Sequence, residues 1–163
     1  AMITSALLLA WAAAGPMLGA MSDRIGSRRP LYGLGAALAA AGWFMVFLVP
    51  DLPPVLLIAI LVVTGIASGC IMIGFAYAKE STPVALAGTT SGVINMGNML
   101  CGMIMQPAVG WVLDRNWDGA MEGGVRVYGF AAYRAGFGLM LVWLVIAIAL
   151  VLLTRETRCR QTP

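Results

Sequence analysis

Long apolar runs separated by short charged stretches dominate this chain. Five runs are long enough to cross about 30 Å of hydrocarbon as helices, and none carries a charged side chain in its interior. They cover approximately residues 1–21, 31–49, 53–78, 86–113 and 135–153, and a tail of residues 154–163 follows. The pattern predicts an all-α integral membrane protein with about five transmembrane helices.

The composition agrees with this prediction. Hydrophobic residues make up 61% of the 163 residues and charged residues 10%, whereas about a quarter of the residues in a soluble domain are charged. A soluble domain of this length could not bury so many apolar side chains in one core. We therefore expect a lipid bilayer around the chain, and the net charge of +3 gives no reason to expect a nucleic acid partner.

The basic residues between the runs predict an orientation. Seven belong to one side and three to the other: Arg24, Arg28, Arg29, Lys79, Arg155, Arg158 and Arg160 against Arg115, Arg126 and Arg134. Lys and Arg favour the cytoplasmic side of a membrane, so the C-terminus is expected in the cytoplasm, with the bacterial inner membrane as the expected location. The absence of Met at position 1 favours a polypeptide that begins upstream over a signal peptide.

The residue types that usually carry cofactors or catalysis are scarce. The chain has no His, and its cysteines lie in two apolar runs (Cys70, Cys101) and in the tail (Cys159). This spacing supports neither a disulfide framework nor a metal site, and no cofactor is expected. An enzyme is disfavoured because no buried Ser/His pair, Asp pair or metal cluster is available.

The most specific local pattern is the sequence GAMSDRIGSRR of residues 19–29, between the first two runs. Gly19 is expected to end the first helix, Gly26 to permit a tight turn with positive φ, and Pro30 to occupy the first turn of the next helix. The charged residues of this pattern lie at helix ends that the helix dipole disfavours. Their partners are therefore expected elsewhere in the protein.

This hairpin resembles the G-x-x-x-D-R-x-G-R-R signature of the major facilitator superfamily of secondary transporters, with Ser27 where that pattern usually has Arg. Residues 79–83 (KESTP) and 88–95 (GTTSGVIN) are similar to the cytoplasmic loop and the start of the penultimate helix in that family. The order of elements resembles helices eight to twelve of a twelve-helix carrier. The resemblance implies that residues 1–163 form a partial C-terminal bundle, whose partner would be the N-terminal half of the transporter.

The resemblance also implies a function. A secondary active transporter of this type moves a small solute across the membrane by alternating access, as a symporter or an antiporter. The same hairpin in the family joins a cytoplasmic charge network that latches the outward-facing state. The resemblance assigns this latch role to Gly19, Asp23, Arg24, Gly26, Arg28, Arg29 and Glu80. A truncated or non-transporting scaffold or sensor of the same fold remains the alternative.

A polar stripe on the fourth run is the main candidate for solute binding. Small and polar residues recur there at steps of three and four, which places them on one side of a helix: Gly88, Ser91, Gly92, Asn95, Asn98, Gly102 and Gln106. The amides can donate and accept hydrogen bonds, so Asn95, Asn98 and Gln106 are candidate cavity residues. They could equally connect helices to one another.

The third run repeats this theme more weakly. Thr64 and Ser68 are further cavity candidates, although close helix packing around Gly65 and Gly69 is the favoured interpretation there. Bends are expected at Gly15 and Pro16 in the first run and at Pro107 in the fourth, because proline removes a helical hydrogen bond. We expect these bends to act as hinges.

Proton coupling would require an ionisable group within the membrane. Every Asp and Glu of this chain lies between or beyond the five runs. A coupling carboxylate is therefore expected outside this chain, or the transporter is not driven by protons.

Overall fold

The computed structural model describes residues 2–161 and contains six α-helices, a short 3₁₀ turn and two short strands. Ala1, Thr162 and Pro163, which the predicted first span and tail include, lie outside the described residues. The elements are α1 (Met2–Ile25), α2 (Arg29–Leu48), α3 (Pro54–Ser68), α4 (Ile71–Glu80), the 3₁₀ turn (Val84–Leu86), α5 (Ala87–Arg115), β1 (Met121–Glu122), β2 (Val125–Arg126) and α6 (Phe130–Leu153).

Five helical segments of the described chain are long and apolar enough to cross a membrane, which confirms the predicted number. Their bounds are Thr4–Ile25, Arg29–Leu48, Pro54–Glu80, Val84–Arg115 and Phe130–Leu153. The first and last segments differ most from the prediction, because α1 continues to Ile25 and α6 begins at Phe130. Charged residues at helix ends extend the helices beyond the purely apolar runs.

The sequence predicted one continuous helix for the third span. In the structure this span breaks between α3 and α4. Two successive residues at the break, Gly69 and Cys70, have φ near −60° and ψ between −16° and −11°. Their N–H groups donate to carbonyl oxygens three residues back, at Ile66 and Ala67. This 3₁₀-like tightening locally replaces the wider α-helical ladder.

Glycines bring α3 and the break against the two preceding helices. A Cβ built on Gly42 of α2 would lie 1.9 Å from Oγ1 of Thr64, and one built on Gly65 would lie 2.8 Å from the carbonyl oxygen of Leu7 in α1. A Cβ on Gly69 would lie 2.9 Å from that of Ala14. Close approach of helices at small residues is typical of membrane bundles, and here it places α3 between α1 and α2.

Stacked aromatic rings connect α2 to α6. The ring centroids of Trp43 and Phe47 are 5.4 Å apart, and those of Phe47 and Phe137 are 4.7 Å apart. Tyr133 continues the stack, with its ring centroid 6.1 Å from that of Phe137. Stacked aromatic pairs of this kind stabilise packing beyond the area that they bury, so the second and last helices are held together along this stack.

A two-stranded antiparallel hairpin follows α5, which the all-α prediction did not include. Glu122 pairs with Val125 across a two-residue turn, in which Gly123 and Gly124 have φ of 56° and 80°. Two consecutive positive φ values are typical of a type I′ turn, for which a Gly-Gly pair is well suited.

One local prediction about α1 is corrected by the structure. Gly19 does not end a helix: α1 continues through it for six further residues to Ile25. Pro16 lies inside α1 and Pro107 inside α5, and the bends expected there remain predictions. The break at Gly69 and Cys70 in the third span was not predicted from the sequence.

Candidate functional site

Hydrogen bonds and ion pairs gather three segments at one end of the bundle, into what we call the charged cluster. It consists of the turn between α1 and α2, the end of α4 and the tail after α6. The side chains or backbone groups that form it belong to Ser22, Asp23, Ser27, Arg28, Arg29, Glu80, Glu156 and Thr157.

Arg28 is the centre of the charged cluster. Its side chain is only 7% exposed and contacts two carboxylates, with Nη1 2.7 Å from Oδ1 of Asp23 and Nη2 2.6 Å from Oε1 of Glu80. Its Nε also donates to Glu80, and Nη1 donates to the hydroxyl of the buried Ser22. The hydrogen bond to Glu80, opposed by burial and assisted by Asp23, raises the pKa of Arg28 above its ordinary value. A buried guanidinium is costly unless it is paired and hydrogen-bonded, and Glu80 is its more buried partner.

Glu156, in the tail, binds the start of α2. Its carboxylate accepts hydrogen bonds from the N–H groups of Arg28 and Arg29, each at 2.9 Å, and from the hydroxyl of Ser27 at 2.7 Å. The N–H of Arg158 is a fourth donor. No side chain at the N-cap of α2 satisfies these groups, so a distant carboxylate caps the positive end of the helix dipole.

The four donors also determine the charge of Glu156. Burial acts to raise the pKa of its carboxyl group, but the donors outweigh that effect and lower the pKa to about 2. Glu156 is therefore ionised at neutral pH. Thr157, the next residue, is buried and donates its hydroxyl to Glu80, which connects the tail to the carboxylate that binds Arg28.

The structure brings together only part of the predicted latch. Gly26 has the expected positive φ, 70°, and its N–H donates to the carbonyl of Ser22. Arg29 joins the cluster through its backbone, whereas its guanidinium donates to the carbonyl of Leu152. Arg24 is exposed, in the last turn of α1. Gly19 lies farther back in α1, where an added Cβ would meet nothing within 4 Å.

Four members of the cluster were not singled out from the sequence: Ser22, Ser27, Glu156 and Thr157. One signal could have identified Glu156. Arg28 cannot cap the helix that follows it, so the start of α2 needs an acceptor from elsewhere. The choice among the acidic residues of the chain still depends on which loops the fold brings to this end.

The polar stripe on α5 contains side chains that remain uncovered. Asn95, Asn98 and Gln106 are all exposed. Gly102, which shares the stripe, lines an apolar cavity of about 470 Å³ between α2, α5 and α6, together with Trp43 and other large apolar side chains. The stripe thus combines exposed amides with an apolar flank.

The two candidates on α3 have a different environment. Thr64 is 1% exposed, lies against Gly42 and donates its hydroxyl to the carbonyl of Ile60 at 2.7 Å. Ser68 donates to the carbonyl of Thr64, and its own carbonyl accepts a hydrogen bond from Nε1 of Trp11. These contacts favour packing over solute binding at both positions.

Fold and charge define the class of this protein: a bundle of membrane-spanning helices whose polar contacts concentrate at one end. The family follows from comparison, because the model of the Major Facilitator Superfamily matches residues 1–163. The chain therefore belongs to the Major Facilitator Superfamily. Searches of curated proteins and of solved structures returned no significant match.

Proposed function

We propose that this chain is the C-terminal part of a secondary active transporter, which moves a small solute by alternating access. The observation that supports the proposal is the contrast between the charged end of the bundle and the exposed polar side of α5. Arg28 and Glu156 hold three segments together at one end, while the amides of α5 remain exposed along one side of a membrane-spanning helix. A rigid end combined with an uncovered polar face suits a bundle that moves as a body against a partner.

The charged end is assigned to the cytoplasm in this proposal, because it carries the seven basic residues and because Lys and Arg favour that side. The charged cluster would then form the cytoplasmic latch, with Asp23 as its most accessible acid, 64% exposed. The partner surface would be the N-terminal half of the transporter.

Solute binding is assigned to the face of α5 that carries Asn95, Asn98 and Gln106. An exposed amide in hydrocarbon would leave its donors and acceptors unsatisfied at a cost of several kcal/mol. The same amides facing a water-filled cavity would be solvated and able to bind the polar groups of a solute. Pro16 and Pro107 are assigned as hinges on the helices that border this cavity.

The test is solute flux in proteoliposomes that contain the full-length protein. Solutes of the sugar, amino acid, organic acid and drug classes are compared first, and the one transported is then used with variants. Asn95→Ala is expected to raise the KM at least about fivefold, the loss of one hydrogen bond worth about 1 kcal/mol. Asn116→Ala is the matched control, because its amide lies beyond the end of α5 and donates to the carbonyl of Val112.

Two outcomes would count against the proposal. An unchanged KM in Asn95→Ala and in the corresponding Asn98 and Gln106 variants would remove the binding assignment. Absence of flux for every solute class, in protein that is folded and inserted, would favour the alternative of a non-transporting scaffold or sensor. Pro16→Ala and Pro107→Ala, measured in the same assay, are expected to slow flux with little change in KM.

A further inference from the structure

A groove between the start of α2 and the end of α6 combines charged and apolar walls. Its volume is about 470 Å³. Ser27, Arg29 and Arg158 line its polar part, and Pro30, Leu34 and Leu152 line its apolar part. We call it the interfacial groove, because it lies where two membrane-spanning helices meet the charged end of the bundle.

The polar part carries an excess of positive charge. Glu156 also lines the groove, but its carboxylate already accepts four hydrogen bonds from the protein. Arg29 uses its guanidinium for the carbonyl of Leu152, which leaves most of its five N–H donors available. Arg158 has an exposed side chain, and only its backbone N–H binds Glu156.

The backbone of the tail presents Arg158 to the groove. Arg158 has φ of 52° and Cys159 has φ of 55°, a left-handed conformation that residues with a Cβ rarely adopt. The N–H of Arg160 donates to the carbonyl of Thr157 across this turn. The side chain of Gln161 then donates to the carbonyls of Lys79 and Thr82, which fixes the tail beyond the turn.

The apolar part consists of exposed side chains on two membrane-spanning segments. Leu34 is 57% exposed and Leu152 is 56% exposed, and both belong to membrane-spanning segments. Gly33 lies between these walls and has no side chain. A Cβ added to it would have a methyl group of Val151 as its nearest neighbour. The interfacial groove therefore places guanidinium groups next to an apolar wall, at the ends of two membrane-spanning helices.

We propose that the interfacial groove binds one anionic phospholipid, with its phosphate on Arg29 and Arg158 and an acyl chain along Leu34 and Leu152. The guanidinium groups can bind phosphate oxygens in pairs, and the net positive charge of the groove selects a headgroup that has no cation of its own. The apolar wall selects a lipid over a free phosphate. Basic pockets between membrane helices take anionic headgroups for the same reasons. The proposal is independent of which solute the protein moves.

Native mass spectrometry of the detergent-purified full-length protein tests this directly. Phosphatidylglycerol and phosphatidylcholine with identical acyl chains are titrated, and tighter binding of one phosphatidylglycerol is expected. Arg158→Gln and Arg29→Gln are each expected to weaken it about fivefold, as removal of one basic residue from an anionic lipid interface does. Arg158→Lys should keep most of the affinity. Arg160→Gln is the matched control, because it removes the same charge from an exposed tail residue that does not line the groove.

Three results would overturn the proposal. Equal retention of the two lipids would exclude recognition of the headgroup. An equal loss in Arg160→Gln and Arg158→Gln would show attraction to the whole basic surface in place of a site. Displacement of the lipid by an equimolar soluble glycerol phosphate would show a free-anion site. Unfolding midpoints are measured for every variant, and Arg158→Gln, which breaks no side-chain hydrogen bond given above, decides the outcome if Arg29→Gln is unstable.

Discussion

The Arg28 guanidinium binds the Glu80 carboxylate across 52 positions of sequence, with Nη2 2.6 Å from Oε1 and Nε 3.0 Å from the same oxygen. This contact joins the turn between α1 and α2 to the end of α4. Both side chains are shielded from solvent, at 7% and 14% exposure. It is therefore the ion pair of the described chain on which folding should depend most.

Glu80→Gln is expected to lower the free energy of unfolding by about 2 kcal/mol. Removal of one partner from a buried ion pair costs about 3–5 kcal/mol, and Asp23 retains one contact with Arg28. The unfolding midpoint in detergent should fall by about 5 °C. Asp114→Asn is the control, because its ion pair with Arg126 is 51% exposed on each side chain and should matter little. Equal shifts for the two variants would contradict this ranking.

Asp23→Asn is expected to reduce transport without lowering the stability of the fold. Asp23 contacts Arg28 but is 64% exposed, and exposed pairs contribute about 1 kcal/mol or less. The unfolding midpoint should stay nearly unchanged. If Asp23 stabilises one transport state through the proposed latch, flux in proteoliposomes should fall about fivefold, the effect of about 1 kcal/mol of differential stabilisation. Wild-type flux in correctly inserted protein would remove Asp23 from the latch.

The binding of Glu156 to α2 should depend on pH. Its pKa in the folded state is about 2, below the usual value of 4.5, so its stabilising contribution is complete above about pH 5. The contribution decreases as the pH falls from about 4.5 and is lost once the pH passes about 2. The difference in unfolding midpoint between wild type and Glu156→Gln should narrow over this interval. A difference that stays constant from pH 6 to pH 3 would show that Glu156 is not held ionised by α2.

Gly42→Ala should disrupt the contact between α2 and α3. The added Cβ would lie 1.9 Å from Oγ1 of Thr64, and overpacking of this kind costs about 1–3 kcal/mol. Gly97→Ala, in α5, is the control, because nothing lies within 4 Å of its added Cβ. Thr64→Ala removes the clashing oxygen and should restore part of the loss, measured as coupling in a double-mutant cycle. Additive effects of the two substitutions would contradict direct contact.

The charged cluster shows what sequence reasoning could and could not reach. The turn at Gly26 was predictable, because a positive φ between two helices favours glycine whatever the rest of the fold does. The pairing of Arg28 with Glu80 was not predictable from the residues alone, because Asp23, Glu80 and Glu156 all lie at the same end of the bundle. Glu156 caps α2 because the tail after α6 lies against the start of α2. No local sequence pattern predicts that contact.

The sequence by itself determined the five membrane spans and the charge difference between the two ends. Both follow from a local rule, because a backbone in hydrocarbon must satisfy its own hydrogen bonds as a helix and charges must stay outside. Only the tertiary structure decided that Thr64 packs against Gly42, that the third span breaks at Gly69 and Cys70, and that Arg28 lies between two carboxylates. These features depend on which helices become neighbours, and contacts between residues distant in sequence determine that choice.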